Sequence, residues 1–240
     1  MTEAMFTASR DGHQIPAMAW LPTQQQEMPV VLLGHGGSGH KAIDLHRRLA
    51  LQLATGMGVA CLAIDGPYHG DRAVPGDDPL DYQKRVVAEG PVAVHTRMCQ
   101  EWLTVLEAAS KAWGLDGTAV GYFGLSMGAR YGIPVCAALG ARLRTAVLGK
   151  FGLATDDPMM AAMAVDELVR RFAAQITAPL LHHVQWNDEI FPLHGQLELF
   201  DTFTSPEKSM RARPGPHHQT RADDVTAWSE HLSRLLTPRS

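Results

Sequence analysis

The chain has 240 residues, a length that predicts one α/β domain over residues 1–240. Its 45% apolar residues supply a sizeable core, and its 19% charged residues give an ordinary soluble surface, so a disordered chain is excluded. A net charge of −4, without blocks of like charge, excludes the concentrated basic face that nucleic acid requires.

In chain order, residues 3–22 read as two short strands around the turn Asp11-Gly12. Val30-Val31-Leu32-Leu33 is a continuous apolar run ending at Gly34, the pattern of a strand buried on both faces. Helical spacing over 42–55 follows, then a second buried run from Val59 to Ile64. Residues 70–90 are rich in Asp, Gly and Pro and predict a long loop with some local helix. Residues 92–112 predict a helix, Ala119 to Phe123 a strand, 127–139 a helix and Thr145 to Leu148 a strand. One helix is expected over 157–176, starting after Asp156-Asp157-Pro158. Pro179 to Val184 and Lys208 to Arg213 predict further strands, with helices over 194–203 and 222–236. This alternation predicts a mostly parallel, twisted sheet with helices on both faces, preceded by an antiparallel hairpin. Ligands of such sheets bind at the C-terminal ends of the strands.

The cysteines Cys61, Cys99 and Cys136 are odd in number and form no CxxC pair, so neither a disulfide framework nor a metal clip is expected. Cys61 and Cys136 read as small core residues. No cofactor and no metal are expected. No apolar segment approaches the roughly 18 residues of a membrane span. Residues 1–10 lack a basic stretch followed by an apolar core, so the expected location is the cytoplasm, with no membrane partner. Nothing in the sequence indicates the oligomeric state.

Gly124-Leu125-Ser126-Met127-Gly128 matches G-x-S-x-G between a strand and a helix, the setting in which a serine nucleophile sits on a sharp turn. Small flanking residues are needed there because the turn is tight and crowded. The helix starting at Met127 points its N-terminal N–H groups toward developing negative charge. Met127 N–H is therefore the first expected oxyanion donor. The second should come from the loop after the 30–34 strand, where His35-Gly36-Gly37-Ser38-Gly39 lies. That loop has neither the Lys-Ser/Thr ending of a phosphate-binding loop nor GxGxxG spacing.

On these motifs the chain resembles the α/β-hydrolase superfamily, specifically its dienelactone-hydrolase-like and small carboxylesterase branch, over residues 13–236. The resemblance implies an α/β-hydrolase fold without a large lid domain, and a Ser-His-Asp triad acting on esters. Dienelactone hydrolases proper carry a cysteine nucleophile; Ser126 departs from that and points toward simple esters. Similarity to the HG-x motif favours Gly37 N–H as the second oxyanion donor, with Gly36 the alternative.

Chain order in this family is nucleophile, acid, histidine. Trp186-Asn187-Asp188-Glu189-Ile190-Phe191-Pro192 is similar to the D-x-x-x-P segment, which makes Asp188 the expected acid, with Glu189 pointing elsewhere. Asp156 and Asp157 are the alternative position and read more simply as a helix start. Among the twelve histidines, His217 and His218 follow the last strand in a Pro/Gly-rich loop; His217 resembles the Gly-x-His position, and His218 stays open. His35, Tyr68, Met159 and Phe191 are expected to contact the substrate. Met160 and Met163 join Met159 as either an apolar pocket or core packing. The implied partner is a small ester of short to medium acyl chain. A peptidase, an acyltransferase or a non-catalytic binding protein on the same fold are the alternatives.

Overall fold

Strand and helix alternate because the apolar pattern alternates. The computed structural model describes residues 1–23, 27–78 and 80–236. Pro79, inside the predicted 70–90 loop, lies outside the described residues. The strands are β1 (Thr2–Arg10), β2 (His13–Leu21), β3 (Met28–Gly34), β4 (Ala60–Ile64), β5 (Leu115–Leu125), β6 (Leu143–Gly149), β7 (Leu180–Gln185) and β8 (Lys208–Arg213). The helices are α1 (Asp44–Gly56), α2 (Asp81–Glu89), α3 (Pro91–Trp113), α4 (Met127–Leu139), α5 (Pro158–Ala162), α6 (Asp166–Ala173), α7 (Leu193–Thr202) and α8 (Ala222–Leu236). They surround an eight-stranded sheet of order β1-β2-β4-β3-β5-β6-β7-β8. β1 pairs antiparallel with β2 and β2 with β4; every later pairing is parallel. Asp11 and Gly12 turn the first hairpin with φ of +48° and +80°, the left-handed conformation that such tight turns require.

Period-two alternation splits the core in two. Val30, Leu32, Tyr122, Ala146 and Leu148 face α2, α3, α4, α6 and α7. Val31, Leu33, Phe123 and Val147 face α1 and α8, where Leu49, Leu53, Trp228 and Leu232 pack. Both faces of β3 are fully buried, which is why it reads as an unbroken apolar run. The chain leaves β3 toward β4 on one side, then crosses back to β5 on the other. The switch point between β3 and β5 opens the crevice where open α/β sheets bind ligands.

The single helix expected over 157–176 is two helices, α5 and α6. Met163 is fully buried and Val165 nearly so, yet positions two apart on one helix point about 200° from each other. The break lets both enter the core. Asp166 and Glu167 then open α6 in the first turn, where acidic side chains suit the helix dipole. The rest of the predicted alternation stands, α2 supplying the local helix of 70–90. Among the described residues no separate domain is inserted into the sheet, and no helix is long and apolar enough to cross a membrane.

Candidate active site

β5 ends at Leu125, and the next residue, Ser126, has φ +56° and ψ −120°, a region an L residue enters only under constraint. The surroundings provide that constraint. Ser126 N–H donates to Gly149 O (2.9 Å), and Ser126 O accepts from Ala129 and Arg130 N–H (both 3.0 Å), starting α4. No side chain fits beside the turn: a Cβ on Gly124 would lie 2.4 Å from Gly128 O, and one on Gly128 would lie 2.3 Å from Gly34 O.

Two later loops converge on this serine. His217 Nε2 lies 2.9 Å from Ser126 Oγ, and His217 Nδ1 lies 2.8 Å from Asp188 Oδ2. A carboxylate only accepts, so Nδ1 carries the proton and Nε2 is free to accept from the serine hydroxyl. The Asp188 side chain is buried, and its other oxygen accepts from Ile190 and Phe191 N–H (both 2.9 Å), which fixes its orientation. Neighbouring contacts tie the histidine loop to the aspartate loop. Glu189 accepts from His217 N–H (2.8 Å), which lowers its pKa, and Asn187 Oδ1 accepts from Gly215 N–H (3.1 Å). From behind, Lys150 Nζ donates to Gln219 O (2.5 Å) and Thr220 Oγ1 (3.1 Å). Burial lowers the Lys150 pKa to about 8.

The serine opens on a cleft of about 160 Å³ whose walls include Gly37, Tyr82, Met127, Arg130, Phe151, Met160, Phe191 and His217. Met127 is the first residue of α4, so its N–H is one of those a helix leaves without an internal partner. Gly37 borders the same cleft from the β3 loop; the Tyr82 hydroxyl presses so close that a Cβ there would lie 2.4 Å from it.

No protein-family model matches the chain, and no curated protein sequence does. Solved structures do. A PEG-bound cold-adapted esterase from an Arctic intertidal metagenomic library is 31% identical, with a TM-score of 0.83, covering 98% of this chain and 94% of that one. An acetyl xylan esterase from Paenibacillus sp. R4 is 18% identical (TM-score 0.69, 98% and 89% covered). A 2,6-dihydroxy-pseudo-oxynicotine hydrolase is also 18% identical (TM-score 0.69, 97% and 68% covered). The chain belongs to the α/β-hydrolase superfamily.

Within that superfamily, the structure brings Ser126, His217, Gly37, Met127 and Phe191 to one cleft, with Asp188 buried behind the His217 ring. Phe191 packs edge-on to Phe151 (5.0 Å) and beside the His217 ring (5.8 Å). His218 is exposed, and Asp157 caps α5 by accepting from Met159 and Met160 N–H. Gly36 lies off the cleft wall, its carbonyl accepting from Gly39 N–H (3.0 Å) and facing His35 Nδ1 (2.8 Å). Three residues expected at the substrate sit elsewhere. His35 is buried beneath its loop, where Nε2 accepts from Gly66 N–H (2.8 Å) and so ties the β3 loop to the β4 loop. Burial drives its pKa well down. Tyr68 lines a neighbouring cavity and bonds Glu89. Met159 is turned off the cleft by the start of α5, and Met160 takes the wall instead. Met163 is core.

Sequence reasoning missed Tyr82, Arg130 and Phe151. Two of them carried a signal: Arg130 lies one helical turn after Ser126 on α4, and Phe151 follows the end of β6. Among the described residues no group of three His, Cys, Asp or Glu side chains is placed to hold a metal ion.

Proposed function

We propose that the chain is a serine esterase acting on small carboxylic esters of short to medium acyl chain, and that Ser126, His217 and Asp188 carry the reaction. The observation that carries the reading is the relay from Ser126 Oγ to His217 Nε2 (2.9 Å) and from His217 Nδ1 to Asp188 (2.8 Å), with Ser126 and His217 lining a mainly apolar cleft. Distances in this range are those of a nucleophile in reach of its base. The kinship with a 31% identical esterase supports the same class of substrate.

Ser126 Oγ attacks the ester carbonyl while its proton passes to His217 Nε2, and Asp188 stabilises the imidazolium that results. The carbonyl oxygen becomes an oxyanion facing Met127 and Gly37 N–H, where each donor lowers the barrier by about 3–4 kcal/mol. As the tetrahedral centre collapses, the alkoxide leaves with the proton from His217, and the acyl group stays on Ser126 Oγ. Water repeats the sequence: His217 takes its proton, the hydroxyl attacks the acyl carbon, and Ser126 leaves with the proton restored. No metal or cofactor enters these steps.

Cleft size sets the acyl length. An apolar cavity of about 150 Å³ holds a benzene molecule, so 160 Å³ accommodates about six carbons. Each methylene that enters adds about 0.8 kcal/mol, so kcat/KM should rise from acetate to about hexanoate, then level or fall. The test is a 4-nitrophenyl ester series from acetate to palmitate with the wild type and Ser126→Ala, run beside an aminoacyl anilide. Hydrolysis of short esters, lost by about 10⁴-fold or more in the variant, supports the proposal. Near-native turnover by Ser126→Ala, preference for the anilide, or a steady rise to palmitate would each remove it.

A further inference from the structure

Gly37, the second donor of the proposed oxyanion hole, has no side chain to hold it in place, and glycine is the residue with the most backbone freedom to lose. What fixes it lies in the peptides on either side. A trans peptide is planar with its N–H opposite its C=O, so holding the carbonyl aims the N–H. Gly36 O, on the peptide that carries Gly37 N–H, accepts from Gly39 N–H (3.0 Å). His35 Nε2 accepts from Gly66 N–H (2.8 Å), so its proton is on Nδ1, which donates to the same Gly36 O (2.8 Å). Gly37 O, on the following peptide, has one partner among the described residues. That partner is His69 Nε2, at 2.9 Å.

The His69 ring comes from the loop after β4 and is itself firmly held. It is 6% exposed, with ring centres 4.4 Å from Tyr82 and 5.1 Å from His35. Tyr82 is also the residue whose hydroxyl presses against Gly37. The loop beneath has little freedom: buried Asp65 accepts from Lys41 N–H (2.8 Å), Lys41 Nζ (2.7 Å) and Asp71 N–H (3.0 Å), and His69 N–H donates to Gly66 O (3.1 Å). The loops after β3 and β4 are therefore joined by two rings, His35 reaching one way and His69 the other.

His69 has a choice of acceptor. Nδ1 lies 2.7 Å from Pro67 O, while Nε2 lies 2.9 Å from Gly37 O. Carbonyls only accept, and burial lowers the His69 pKa, so at neutral pH the ring has a single N–H. It serves one carbonyl and turns a lone pair toward the other. Gly37 O favours the ring's proton more strongly than Pro67 O does, which assigns that proton to Nε2.

We propose that His69 is a positioning residue of the oxyanion hole: its Nε2–H holds the Gly37 carbonyl and so fixes where Gly37 N–H meets the oxyanion. This deepens the esterase reading, on which the role of Gly37 N–H rests, whereas the ring proton can be located without any turnover. In ¹⁵N-labelled wild type at neutral pH, the His69 ring should appear as the Nε2–H tautomer. Two variants then separate aiming from packing. Both remove the ring, but the asparagine amide reaches only as far as Nδ1, while the glutamine amide reaches as far as Nε2 and keeps a donor for Gly37 O. His69→Asn is expected to lower kcat by about ten- to a hundredfold with KM changed less than about threefold, because a misaimed donor is missed only in the transition state. His69→Gln should recover most of that loss. An Nδ1–H tautomer, an unchanged kcat in His69→Asn, or equal losses in the two variants would each overturn the proposal. If neither variant folds, the ring tautomer of the wild type decides alone. Near-native turnover by Ser126→Ala would remove the esterase reading instead, and the ring spectrum would still report on the His69 bond.

Discussion

Lowering the pH should unfold this protein through its buried histidines, and His182 allows the effect to be isolated. The ring is fully buried between Phe200 (6.0 Å) and Phe203 (5.8 Å), and burial lowers its pKa from 6.5 to about 4. His46, His183 and His231 are likewise lowered to about 4, and His95 to about 3. Between about pH 6.5 and 4 the unfolded chain therefore binds protons that the folded chain refuses. Stability is fully present above 6.5 and lost as the pH falls through that window. At pH 5 each such ring costs on the order of 2 kcal/mol relative to neutral pH, and five together on the order of 10. Even half that sum rivals the roughly 5–15 kcal/mol that holds a typical domain folded. His182→Phe keeps a planar ring among aromatic neighbours and removes one titrating group. Urea unfolding followed by tryptophan fluorescence at pH 8 and pH 5 measures the difference. Whatever the gap at pH 8, the variant should gain about 2 kcal/mol on the wild type at pH 5. An equal gap at both pH values, or a wild type more stable at pH 5 than at pH 8, would refute the reasoning.

Three further predictions follow from the site. Asp188→Asn should lower kcat by about 10⁴-fold with the fold unchanged, because an amide no longer favours the Nδ1–H tautomer of His217; a loss under tenfold in stopped assays would contradict the relay. Gly128→Ala drives a Cβ to within 2.3 Å of Gly34 O, and since both atoms belong to packed backbone it should cost about 2 kcal/mol, or roughly 4–8 °C in Tm; an unchanged melting curve would mean the elbow is looser than described. Lys150→Met frees the loop at Gln219 and Thr220 and should lower kcat about tenfold with little change in KM, as expected when a base is held less well in place. The wild-type chain releases the Lys150 proton near pH 8 when folded and near 10.5 when unfolded, so this group adds stability as pH rises across that window. The variant should lack that rise in urea titrations at pH 8 and 10.

Most of the sheet was legible because parallel strands are buried on both faces and print themselves as apolar runs. Val30 to Leu33 and Val59 to Ile64 needed nothing beyond composition and the glycines that end them. The break between α5 and α6 left no such mark. It exists because Met163 and Val165 both find space in the core, and α4, an earlier element, packs against that segment. The nucleophile and its oxyanion loop were legible for a related reason: a strained turn tolerates few residues, so backbone geometry restricts Gly124, Ser126 and Gly128 directly. The face of a loop is not restricted in that way. His35 follows β3 as a substrate-contacting residue would, yet its ring turns inward to Gly66 N–H. Arg130 stands one turn after Ser126, a positional signal, but an arginine on a helix reads as solvent-facing until the fold places that face inward.

The twelve histidines show why position, rather than residue type, had to select the base. Burial lowers seven of them, namely His35, His46, His69, His95, His182, His183 and His231. A ring that resists gaining a proton is a poor base, because the attack step requires it to hold one. Of the other five, His13, His40, His194 and His218 form no bond to Ser126, and His217 forms one on each side of its ring, to hydroxyl and carboxylate. The carboxylate matters as much as the reach. Asp188 is buried and already accepts two backbone N–H groups, so it stays aimed at the ring while His217 gains and returns its proton. Removing those N–H donors, for instance by a backbone shift at Pro192, would loosen the acid without touching any of the three reacting side chains. The reading of the triad therefore depends on the Asp188–Pro192 loop as a unit.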